Sequence, residues 1–105
     1  MRANNLGNTP LMLAATSGYT GLVDALLQKG ANFKARNNAS LTALMMAAQN
    51  GHLSVAKILI QSGDNPSRKD NQGKNTITHA EEFGHTELVT YLINLKKNRK
   101  ILDVF

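Results

Sequence analysis

Cysteine is absent from the 105 residues, so the chain can build neither a disulfide framework nor a thiolate site. Tryptophan is absent as well, and the remaining aromatics are two tyrosines and three phenylalanines. A core must therefore come from Leu, Ile, Val, Ala and Met, which suits closely packed helices. No unbroken apolar run approaches the ~20 residues that cross a bilayer. The first residues turn polar at once and carry no signal-peptide pattern, so an intracellular, cytoplasmic location is expected. A glycine-rich phosphate loop, a Gly-x-Ser-x-Gly turn and a cluster of metal ligands are all missing. No enzyme activity, cofactor or metal is expected from such a chain. Acidic residues are few: seven against twelve Lys and Arg, a net charge of +5.

What the chain does have is a period. Thr9, Leu11, Ala14, Ala15, Gly18, Leu26, Leu27 and Gly30 are matched 33 residues on by Thr42, Leu44, Ala47, Ala48, Gly51, Leu59, Ile60 and Gly63. A second step of 33 reaches Asn75, Ile77, Ala80, Glu81, Gly84, Leu92, Ile93 and Lys96, a looser copy. A fixed period of this length means stacked supersecondary units. Thr9-Pro10-Leu11-Met12-Leu13-Ala14-Ala15 with Gly18 and Gly30-Ala31-Asn32 resembles the ankyrin repeat. So does Thr42-Ala43-Leu44-Met45-Met46-Ala47-Ala48 with Gly51-His52 and Gly63. The resemblance covers nearly the whole chain as a single domain, with repeats at about 4–36, 37–69 and 70–102 and a short tail. It implies an all-α solenoid of three helix–turn–helix units with projecting β-hairpin-like loops.

The residues give a physical reason for each element. Thr9 can cap a helix whose first residue is Pro10, where a missing N–H costs nothing. Leu11, Ala14 and Ala15 follow as one apolar stripe, and small alanines let a neighbouring helix come close. Gly18 ends that helix. A second helix is expected from about Thr20 to Lys29, burying Leu22, Val23, Leu26 and Leu27, and closed by Gly30. Unit two repeats the plan: Thr42 caps, and a helix from about Leu53 to Ser62 buries Val55, Ala56, Leu59 and Ile60. Asp64 and Pro66 depart from the residues usual in the resembled family, so a different loop is expected there. In unit three Asn75 is the cap. Glu81 stands where the other units have alanine, and a carboxylate is too costly to bury unpaired, so that side should face water. Leu88, Val89, Leu92 and Ile93 complete the last helix, which is expected to run past Asn94 because Lys96 replaces the closing glycine. Unit one lacks a comparable polar face. The Ile101–Phe105 tail either folds back on the last helix or begins a further unit.

His52 and His85 follow the turn glycines of units two and three, and a hydrogen-bonding role beside the turn is expected. His79 stands alone. Met12 and Met45 (and Thr78) fill the place of the usual family histidine, which weakens that network. Met46 also falls at helical spacing and reads as core. Asn50-Gly51 lies between helical patterns and joins them. Glu81 and Glu82 are adjacent, hence on different parts of a helix surface, and are not an acid–base pair.

Charge suggests a partner. Arg2, Lys29, Lys34 and Arg36 face only Asp24 in residues 1–36, and Lys57, Arg68 and Lys69 face only Asp64 in residues 37–69. Lys34, Arg36, Arg68, Lys69 and Lys74 would line one positive loop edge, suited to an acidic protein surface. Nucleic acid is disfavoured, because no aromatic interleaves the charges. The basic tail Lys96, Lys97, Arg99 and Lys100 reads as a solvated helix end. The family resemblance implies a non-catalytic protein–protein interaction module that holds its partner on the concave face of loop tips and first helices. The contact places it implies are Leu6, Asn8 and Arg36 in unit one. Unit two supplies Asn38, Leu41, Gln49, Asn50 and Lys69, and unit three Asn71, Lys74, Glu82 and Phe83. Leu6, Leu41 and Phe83 are the apolar anchors. The alternative is structural: a piece of a larger array, or a homo-oligomer.

Overall fold

A computed structural model describes residues 4–104, with side chains described as far as Asn98. Six helices follow in order: α1 (Pro10–Ser17), α2 (Thr20–Gln28), α3 (Ala43–Gln49), α4 (Leu53–Gln61), α5 (Thr76–Glu82) and α6 (Thr86–Val104). Among the described residues there is no strand. Each unit is a helix pair, α1–α2, α3–α4 and α5–α6. The first helices pack in a row, α1 on α3 and α3 on α5, while α2 packs on α4.

Capping sets the helix starts. Thr9 Oγ1 and Thr42 Oγ1 each accept the N–H three residues on, at 3.3 Å, and Asn75 Oδ1 does the same at 3.0 Å. In α1 the thioether of Met12 reaches back to the Thr9 N–H, at 3.4 Å, so the methionine takes part in the cap. Gly18 and Gly51 end the first helices with φ of 75° and 71°, which a side chain would strain.

The buried layer is made of Leu11, Ala14 and Ala15, then Leu44, Ala47 and Ala48, then Ala80, with Val23, Val55, Leu59, Leu88 and Leu92 from the second helices. Each fully buried Leu or Val side chain contributes about 1.5–3 kcal/mol. Glu81 is exposed, as its charge requires. Leu22 and Ile93, expected on buried faces, are exposed. The two belong to the first and last units, and each lacks a neighbour on one side. The last helix does run past Asn94, and its backbone continues through residues 101–104 instead of folding back or opening another unit. Phe105, and the side chains of the tail's other residues, lie outside the described residues.

Candidate partner-binding surface

Three short loops precede the first helices, and one side chain shapes each of them. Asn4 Oδ1 accepts the N–H groups of Leu6 and Asn8, Asn37 Oδ1 those of Ala39 and Leu41, and Asp70 Oδ1 those of Gln72 and Lys74. In each loop the first N–H also meets the carbonyl four residues on, at 2.9 Å. The loops are therefore closed hairpin-like tips without strands. Short polar side chains at the head of a turn hold the backbone in this way.

The tips are fastened to one another. The Asn38 N–H donates to Leu6 O at 3.0 Å and its Nδ2 to Asn5 O at 3.2 Å. Arg36 Nη1 donates to Ser40 O at 2.9 Å and to Lys69 O, 33 residues away, at 2.7 Å. Behind the tips, histidines join the turns. His52 Nε2 bonds Thr16 O at 3.0 Å and His85 Nε2 bonds Gln49 O at 2.8 Å, each spanning 36 residues. The same bond thus recurs between successive units, at places 33 apart. A family model for ankyrin repeats matches residues 11–102 in three copies. The chain belongs to the ankyrin-repeat family. Comparison with curated proteins finds no match. Ankyrin repeats are generally protein–protein interaction modules.

The expected contact residues of the ankyrin units fall into distinct environments. Leu6 and Phe83 are largely exposed, at 65% and 57%. They lie in the first and last units, at opposite ends of the stack. Leu41 instead packs half-buried against the core. Asn8 is buried and accepts Asn37 Nδ2 at 2.8 Å, so its side chain serves the loop–loop joint. Gln49 is half-buried, and Asn50 Nδ2 donates to Met46 O at 2.8 Å at the end of α3. Lys69 and Asn71 are exposed at the tips of the stack's loops. Lys74 Nζ stands 2.8 Å from Glu82 Oε1, and that bond holds the ammonium pKa above its usual value.

Charge on the loop edge is partly balanced within the chain. Lys74 has Glu82, and Arg68 Nη1 lies 3.9 Å from Asp64 Oδ1. Among the described residues Lys34 and Lys69 form no ion pair, and Arg36 hydrogen-bonds only carbonyls. The positive edge is therefore narrower than the sequence suggested.

His79 does not stand alone. It is buried, with Nε2 at 2.9 Å from Asp70 Oδ2 and Nδ1 at 3.2 Å from Gln49 Nε2. The carboxylate can only accept, so Nε2 carries the proton, and Nδ1 accepts from the Gln49 amide. Burial pushes the Asp70 carboxyl up, but the Lys74 and Gln72 N–H groups and His79 outweigh it and hold the pKa below its usual value. With one ring nitrogen bonded to Asp70 of its own unit and the other to Gln49 of the unit before, His79 joins unit three to unit two. Sequence reasoning missed this trio because its members stand 9 and 30 residues apart and meet only through stacking.

Proposed function

We propose that the chain is a non-catalytic binding module that holds a partner protein along the edge of its loop tips and first helices. The observation that carries this reading is the pair of large exposed apolar side chains, Leu6 and Phe83, on a polar rim where Arg36, Asn38 and Lys69 already lock the tips together. A preordered surface loses little entropy when a partner arrives, so its few anchors can dominate affinity. Lys34, Lys69 and Arg36 favour an acidic surface on that partner and would speed encounter at low salt.

The test is capture of a partner by the intact chain, with the double variant Leu6→Ala/Phe83→Ala compared against the parent. Leu41 is left alone because its half-buried side chain would confuse binding with stability. Loss of about 1 kcal/mol or more per anchor, with the unfolding midpoint unchanged, is expected of hot-spot residues. Unchanged affinity would remove this surface. Lys34→Glu/Lys69→Glu should weaken binding and flatten its salt dependence.

A further inference from the structure

Places 33 residues apart can be compared unit by unit along the stack. Leu13 and Leu22 are 46% and 49% exposed. Met46 and His79, in the place of Leu13, are 9% and 4% exposed; Val55 and Leu88, in the place of Leu22, are 0% and 1%. Leu88 is covered although it belongs to the last unit. Its cover therefore comes from the unit before it, and these two places face backward along the stack. Tyr19 holds a third place that can be compared in this way. His52 and His85 occupy its place, and their rings lie across the turn glycines of the preceding units, where a Cβ on Gly18 would come within 2.7 Å of the His52 ring. Tyr19 is 62% exposed.

A socket lies on the same face. Phe33 stands three residues after Gly30, and its ring tip reaches unit two, 3.7 Å from where a Cβ on Gly63 would be. Pro66 holds the corresponding place in the next loop, and with Asn75, Ile77 and Leu92 it lines a hollow of only 60 Å³. The matching walls of unit one, Thr9, Leu11, Lys29 and Gly30, border a cavity of 380 Å³. The closing loops of units one and two thus reach into the unit that follows. Unit one presents the same receiving walls.

We propose that the face of unit one bearing Leu13, Tyr19 and Leu22 is a docking surface for one further helix–turn–helix unit of this repeat type. That unit's closing loop would place an apolar side chain, three residues after its glycine, into the socket between Thr9 and Gly30. The surface continues two interfaces already present between the units, in the same register. A head-to-tail second copy fits poorly, because α6 runs on as helix where a closing loop would carry the plug.

The test inserts a second copy of residues 4–36 between Ala3 and Asn4 of the whole chain, which keeps the period. The extended chain should unfold in one transition, about 5 °C or more above the parent. Hydrogen exchange at Leu13 and Leu22 of the original unit should slow. Phe33→Ala in the inserted copy alone should return much of that gain, and Leu13→Glu/Leu22→Glu in the original unit should uncouple the insert. An insert that stays unfolded, or melts separately, would overturn the proposal. So would sedimentation of the unmodified chain as a dimer that Leu13→Glu/Leu22→Glu dissolves, since the face would then belong to self-association.

Discussion

Ser40 carries φ of 62°, in the place that Gly7 and Gly73 hold in the neighbouring tips at 80° and 78°. A left-handed backbone costs a residue with a Cβ about 1–2 kcal/mol. Ser40→Gly should therefore raise stability by up to about 1 kcal/mol after the larger unfolded-state entropy of glycine is offset. Denaturant midpoints check this. Asp64 is a second residue under local stress. It is buried in the place that Ala31 holds in unit one, one carboxylate oxygen has no hydrogen-bond partner among the described residues, and burial lifts its pKa despite the Asn65 N–H and Arg68. A carboxyl whose pKa is raised by folding adds stability at low pH and loses it as pH rises through the lifted value. Asp70, with its pKa lowered, behaves in the opposite sense, and its support fades as pH falls. Asp64→Asn should stabilise the chain at neutral pH, with the gain shrinking towards about pH 4. Equal gains at both ends of a urea series against pH would contradict that reading. The sequence showed Asp64 as a departure from the repeat. It could not show the burial, which depends on how the loop folds over its own helix pair.

At the scale of elements, helix starts and ends were legible because Thr9, Thr42, Asn75, Gly18 and Gly51 act within one turn of chain. The joints between helices were less so. His52 was readable as a turn residue, yet its carbonyl partner lies 36 residues back, at the end of the preceding unit's first helix. His52→Ala leaves Thr16 O without its bond and Gly18 without the ring over it. The expected cost is about 1–3 kcal/mol, with helix content unchanged below the midpoint. Circular dichroism melts read both quantities. The loop-shaping series Asn4, Asn37 and Asp70 also repeats every 33 residues, and the period alone could have revealed it. The pairing of Lys74 with Glu82, eight residues on, was not legible because it depends on the tip's path.

At the scale of the molecule, position in the row decides what each place does. Matching places are buried in the middle unit, at Val55 and Ile60, and exposed where a unit lacks the neighbour that would cover them, so Leu22 and Ile93 could not be placed from their helices alone. The tips and first helices form a continuous edge fastened by Arg36 and Asn38, and that edge is where a partner protein should sit. Hydrogen exchange on the partner-bound chain tests this most directly. Slowed exchange should fall on residues 4–8, 36–41, 69–74 and around Phe83. Slowing confined to the outer surface of α2 and α4, with the tips unchanged, would contradict it.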